Sequence, residues 1–257
     1  MTVSLSALHT RAIVLDIEGT TTPVEFVYQV LFPFARAHAA AYLEREWHSD
    51  ACRAAVALLC EENVTGTRSV RLEADVAPAW ARGARDVELA SAAAYVYWLM
   101  DRDRKSPGLK ALQGLVWQDG YRSGELRGRV YPDVAPAFER WRACGCGLYI
   151  YSSGSVLAQQ LLFGSTNAGD LTKCLRGYFD TAVGPKTAPD SYRAIAERIA
   201  VATPEILFVS DVAAELDAAG VAGLRTALCA RASGPDLMRS GPPVPYPIIH
   251  TFDDIVD

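Results

Sequence analysis

The sequence predicts an α/β protein: a doubly wound, parallel-sheet (Rossmann-like) core interrupted by an inserted helical cap domain. Three observations lead there. Short apolar runs (Ala12-Ile13-Val14-Leu15, then 147–151 and 206–209) suit strands buried on both faces of a parallel sheet, and 224–229 reads as a further strand. From the second run onward, strands alternate with helical patterns, the signature of βαβ units. About a hundred residues of helical character separate the first run from the second, too long for a crossover and better explained as an insertion. The expected bounds are 1–21 and 130–257 for the core, and 22–129 for the cap.

The elements follow in order. The first strand ends in Asp16-Ile17-Glu18-Gly19-Thr20-Thr21-Thr22-Pro23, a segment rich in turn formers. Pro33 suits the first turn of a helix running to about Glu46, where its missing N–H costs nothing. Residues 50–62 and 87–104 are also helical; in the latter, Leu89, Ala93, Val96, Tyr97 and Met100 recur at three-to-four spacing. Residues 115–129, punctuated by glycine, read as a connecting segment. Val134, Phe138 and Trp141 mark one helical face, and the strand at 147–151 ends at Ser152-Ser153-Gly154-Ser155. Helices are expected over 156–163, 188–200 and 212–219. The prolines at 235, 242, 243, 245 and 247 argue for an irregular surface wrap.

Composition removes several classes of function. Half of the 257 residues are hydrophobic and 21% are charged, as in an ordinary globular chain with enough core to fold without disulfides. A net charge of -5 with no dense Lys/Arg block argues against nucleic acid as partner. No apolar run approaches a membrane span, and no signal-peptide layout opens the chain, so a cytoplasmic location is expected. The six cysteines have neither CxxC nor zinc spacing and read as reduced thiols; the four histidines form no HExxH pair.

Polar clusters fall just after predicted strands: Asp16 and Glu18, Ser152 and Ser153, and Asp211. In open α/β sheets the carboxyl ends of strands converge on one crevice, so residues 195 positions apart can share a site. Two carboxylates, with a carbonyl and waters, would form the oxygen-only shell that Mg²⁺ prefers. The hydroxyls and backbone N–H groups of Ser152 and Ser153 could hold phosphate oxygens, and Lys186 could set a positive charge against phosphate and carboxylate.

Together, Asp-x-Glu-Gly-Thr, Ser-Ser-Gly-Ser, Gly184-Pro185-Lys186 and Ser210-Asp211-x-x-x-Glu215 resemble the four-motif set of the haloacid dehalogenase superfamily. The second acidic residue of the first motif is Glu18, where the commonest form has Asp. That departure resembles the enolase-phosphatase (acireductone synthase) family of methionine salvage. So do Leu31-Phe32-Pro33-Phe34, Trp117-Gln118-Asp119-Gly120-Tyr121, Ser123-Gly124-Glu125-Leu126 and Val130-Tyr131-Pro132-Asp133. The likeness runs from about residue 11 to 230.

The resemblance implies a haloacid dehalogenase core and a role for each matched residue. Asp16 would be the nucleophile and a Mg²⁺ ligand; Glu18 would serve the metal shell and act as acid/base; Asp211 would complete the metal site. Ser152, Ser153 and Lys186 would bind the substrate, a small phosphorylated methylthio diketone (2,3-diketo-5-methylthiopentyl-1-phosphate). A monomer without membrane or nucleic-acid partners is implied. Glu215 reads equally as a partner of the metal residues or as an exposed helix residue. Phe26, Tyr28, Phe32 and Phe34 read as cap packing or as a pocket for the methylthio end. Arg129 and Tyr131 read as surface or hinge residues, or as substrate contacts. The alternatives to the enolase-phosphatase reading are a phosphatase for another small phosphorylated metabolite and a catalytically silent binding module.

Overall fold

The computed structural model describes residues 2–66, 76–104, 106–231 and 245–257. The chain divides into two compact units, Met1–Val27 with Arg127–Asp257 and, between them in sequence, Tyr28–Leu126. Residues 22–27 and 127–129, read from the sequence as cap, fall in the core unit.

Among the described residues, the core unit is built on a six-stranded, wholly parallel sheet. After β1 (Val3–Ser4), its strands are β2 (Ala12–Leu15), β3 (Gly147–Tyr151), β4 (Gly177–Phe179), β5 (Ile206–Ser210), β6 (Arg225–Cys229) and β7 (Ile248–Ile249). They lie in the order β4-β3-β2-β5-β6-β7, and β1 pairs separately with β8 (Ile255–Val256). Every residue of β2, β3 and β5 is buried, which is why these strands are apolar rather than alternating, up to the Ser210 that ends β5. The order reverses direction at β2, where the chain runs one way to β3 and β4 and the other way to β5 and β6; ligands bind beyond the carboxyl ends of strands at such a point.

The helices of this unit are α1 (Val24–Phe26), α6 (Val134–Ala143), α7 (Val156–Gly164), α8 (Pro189–Ile199) and α9 (Ala213–Val221). Val134, Phe138 and Trp141, the predicted face of α6, are fully buried. One cluster joins Val14, Tyr151 and Phe208 of the strands to Tyr192 and Ile195 of α8 and Leu216 and Ala219 of α9.

The second unit is helical: α2 (Phe32–Glu46), α3 (Asp50–Gly66), α4 (Arg85–Asp101) and α5 (Pro107–Ser123). Its core gathers Leu43, Leu59, Val96, Leu99, Leu112 and Val116. Helix α5 corrects the reading of 115–129 as a connecting segment. Two of its glycines are places of close approach: a Cβ on Gly108 would stand 2.7 Å from the backbone nitrogen of Leu59, and one on Gly120 would stand 2.5 Å from the Phe34 ring. Ser106 caps its N-terminus by accepting from Leu109 N–H, and Gly124, in the left-handed region, ends it.

The predicted aromatic cluster also divides. Phe26 belongs to the core unit, whereas Tyr28 meets Phe32 edge-on, Phe32 lies beside Trp117, and Phe34 stacks on His38 in the helical unit. Pro235, Pro242 and Pro243 lie outside the described residues; Pro245 and Pro247 lead into β7. All six cysteines are free thiols. Among the described residues, no helix is long and apolar enough to cross a membrane.

Candidate active site

Strand register builds the site. Leu15, the last residue of β2, pairs with Ile150 on one side and Val209 on the other, so the residues that follow emerge side by side. Asp16 N–H still donates to the Val209 carbonyl (3.0 Å), which seats this residue at the mouth of the central strands. Its side chain is 6% exposed.

The Asp16 carboxylate is held on both oxygens. Lys186 Nζ lies 2.6 Å from Oδ1, and Ser210 Oγ donates to Oδ2 at 3.4 Å. The same ammonium reaches Glu215 Oε2 at 2.6 Å, and Ser210 Oγ lies 2.9 Å from that oxygen. Glu215, which the sequence left open, is therefore a buried member of this network, on the first turn of α9. Burial depresses the Lys186 ammonium, but the charges of Asp16 and Glu215 outweigh it and hold its pKa above the usual lysine value.

Asp211 stands next to this group. Burial, and next the charge of Asp16, push its carboxyl up to about 7. Gly19 explains how the loop after Asp16 comes so close: its φ of 70° is left-handed, and a Cβ there would stand 2.1 Å from Asp211 Oδ2. Glu18 lies on the same loop, bridged in backbone to Thr22. Thr21 Oγ1 donates to the Asp16 carbonyl (3.1 Å) and tightens the turn.

At the end of β3, Ser152 is buried and Ser153 exposed. Ser152 N–H is donated to the Phe179 carbonyl at 3.2 Å, which corrects the expectation that this N–H would hold phosphate; the hydroxyl, which accepts from Gly154 N–H, is what Ser152 offers a ligand. Ser155 caps α7 through Ala158 N–H. Gln159 Nε2 donates to the carbonyls of both Gly154 and Phe179 (2.9 Å each) and so fixes the serine loop against β4.

Sequence reasoning missed Arg231 altogether. Its side chain is 5% exposed; it pairs with Asp133 at 2.6 Å and donates twice to the Thr20 carbonyl (3.1 and 2.8 Å), on the loop that follows Asp16. Its guanidinium lies over the rings of Tyr131 (4.3 Å) and Phe252 (4.6 Å). Tyr131 is thus a packing partner of this arginine, and Arg129 is exposed. No short motif links Arg231 to partners 98 and 211 positions away.

The donor set is all oxygen and strongly negative: the carboxylates of Asp16, Asp211 and Glu215 face one ammonium. Among the described residues, no three His, Cys, Asp or Glu side chains form a cage for a metal ion. Two carboxylates with spare negative charge suit a hard divalent cation that completes its shell with backbone oxygen, water and substrate phosphate. A carboxylate braced by ammonium and hydroxyl beside a site for such a cation can act as a nucleophile toward phosphorus.

Comparison with known proteins agrees with this geometry. The model of the haloacid dehalogenase-like hydrolase family matches residues 10–223. The enolase-phosphatase E1 of Synechococcus elongatus is 46% identical over 243 residues, 95% of this chain and 96% of the relative. That of Citrobacter koseri is 44% identical over 245 residues, with the same coverage. The crystal structure of the UTR4 protein of Saccharomyces cerevisiae superimposes with a TM-score of 0.71 at 30% identity, covering 95% of this chain and 99% of that one. CbbY from Rhodobacter sphaeroides, at 15% identity and a TM-score of 0.54, shares the fold. With its parallel sheet, its motifs gathered about Asp16 and its near full-length likeness to these relatives, the chain belongs to the enolase-phosphatase family of haloacid dehalogenase-like hydrolases.

Proposed function

We propose that the protein is a Mg²⁺-dependent, bifunctional enolase-phosphatase that converts 2,3-diketo-5-methylthiopentyl-1-phosphate to the acireductone through an enol phosphate. The observation that carries this reading is the Asp16 carboxylate, buried at the central strand end, braced by Lys186 and Ser210, and near enough to Asp211 for its charge to push that carboxyl up. Asp16 and Asp211 would hold the ion through their carboxylates and Glu18 through its main-chain oxygen, which leaves the Glu18 carboxylate to move protons. When bound, Mg²⁺ supplies positive charge against the phosphate and the developing enolate.

In the enolase half, Glu18 takes a proton from the carbon between the phosphate ester and the ketone; the C–H pair becomes a C=C bond and the ketone oxygen takes the charge. In the phosphatase half, an Asp16 oxygen bonds to phosphorus as the ester P–O bond breaks, and Glu18 returns its proton to the leaving oxygen. Water then cleaves the aspartyl-phosphate, releasing phosphate and restoring the carboxylate. Ser152, Ser153 and Lys186 bind the phosphoryl oxygens, and Lys186 offsets the repulsion between carboxylate and dianion. The enzyme works as a cytoplasmic monomer, without nucleic-acid or membrane partners.

Incubation of the purified protein with the diketone phosphate and Mg²⁺ tests the proposal. Phosphate release together with the enediol absorbance is expected, both lost in EDTA and restored by added Mg²⁺. Phosphate without enediol would reduce the protein to a simple phosphatase, and neither product would overturn the reading.

A further inference from the structure

Lys186 is carried by a loop, yet its ammonium meets two carboxylates at 2.6 Å each. Its four-carbon stem is flexible, so holding the ammonium on both partners at once costs least where the backbone that carries it is fixed. Three hydroxyls converge on that backbone. Tyr151 Oη donates to the Gly184 carbonyl at 2.9 Å, Ser191 Oγ to the Pro185 carbonyl at 2.8 Å, and Tyr192 Oη to the Lys186 carbonyl at 2.6 Å. Three consecutive carbonyls are thus tied by side chains, two from α8 and one from the last residue of β3. Loop carbonyls ordinarily turn to water.

The donors themselves are rigid. Tyr151 and Tyr192 are fully buried and Ser191 is 2% exposed. The two phenol rings pack edge to face at 5.5 Å, and Tyr192 packs against Phe208 at 5.0 Å. Burial raises the pKa of both phenols, which keeps them protonated as donors. Gly184 completes the fit: its φ is 138°, and a Cβ there would stand 2.2 Å from Ser191 Oγ. Phenylalanine would fill the space of either tyrosine; only the hydroxyls need the loop.

We propose that Tyr151, Ser191 and Tyr192 are positioning residues for Lys186, holding loop 184–186 so that its ammonium spans Asp16 and Glu215. The proposal rests on Lys186 acting as the charge partner of the nucleophile. A double-mutant cycle tests it: Tyr192→Phe, which keeps the ring and removes one donor, is made in the wild-type and in a Lys186→Met background. Turnover is measured with the diketone phosphate, orthovanadate affinity by calorimetry, and unfolding by urea. In the wild-type background we expect kcat to fall about 5–30-fold, with KM within about twofold and vanadate bound several-fold more weakly. In the Lys186→Met background the same substitution should leave vanadate affinity unchanged, because the group it positions is gone.

An equal loss of vanadate affinity in both backgrounds would show a merely structural role and overturn the proposal, as would wild-type kcat in Tyr192→Phe. Wild-type turnover in Lys186→Met alone would instead remove the catalytic reading beneath it, and the proposal with it. Should Tyr192→Phe not fold, Tyr151→Phe enters the same cycle with the same expectations.

Discussion

Asp16 receives one hydrogen bond from an ammonium and one from a hydroxyl, and both donors are shared with Glu215. Replacing its nucleophilic oxygen while keeping its shape should therefore isolate the chemistry: Asp16→Asn is expected to lower turnover by roughly 10³-fold or more with an unchanged far-UV spectrum. Asp211 has a different signature. Its folded-state value of about 7 lies above the ordinary 3.8, so between those values the folded protein binds more protons than the unfolded chain. The sign then follows: in EDTA, this group's contribution makes stability fall as pH rises from about 4 to about 7, with no further change above. Urea unfolding at pH 4.5 and 7.5 should show this slope, and Asp211→Asn should flatten it. Asp16, Ser152, Lys186 and Asp211 were legible in the sequence because each follows an apolar run or sits in a motif of turn formers. Glu215 was not, because the burial of a helix residue depends on what packs over it. Ser210 stood in the motif with Asp211, but its role did not show, because its contacts with Asp16 and Glu215 depend on the packing of strand against helix.

Among the elements, the buried strands were the easiest to foresee, since four or five apolar residues bounded by polar turns have few other uses. The short strands β4, β7 and β8 offer two or three residues each and carry no such pattern. Helix α5 was lost to its glycines, which look like punctuation in one dimension and are contacts in three. The two kinds of helical glycine are separable by experiment. Gly120→Ala places its methyl against the Phe34 ring and should cost about 1–3 kcal/mol through overpacking. Gly220→Ala, inside α9 with nothing within 4 Å of the new methyl, should stabilise by about 0.5–1 kcal/mol. Thermal unfolding of the two variants checks both signs.

Across the whole molecule, two compact units share one chain, and the core unit is assembled from segments on either side of the helical one. Arg231 ties the distant parts of the core together: the loop after Asp16, the returning segment at Tyr131 and Asp133, and the C-terminal Phe252. Removing it strands a buried carboxylate, so Arg231→Met should cost about 3–5 kcal/mol in urea unfolding, and Asp133→Asn in the same chain should recover part of that loss. The placement of β2 has one more consequence. With a hydrogen-bonded neighbour on both edges and every side chain buried, its amides, like those of β3 and β5 beside it, can meet solvent only when the core unit opens as a whole, so deuterium should enter 12–15, 147–151 and 206–210 last. The nucleophile is thus anchored to the part of the protein that breathes least, and whatever motion turnover demands must be made by the segments that come to it.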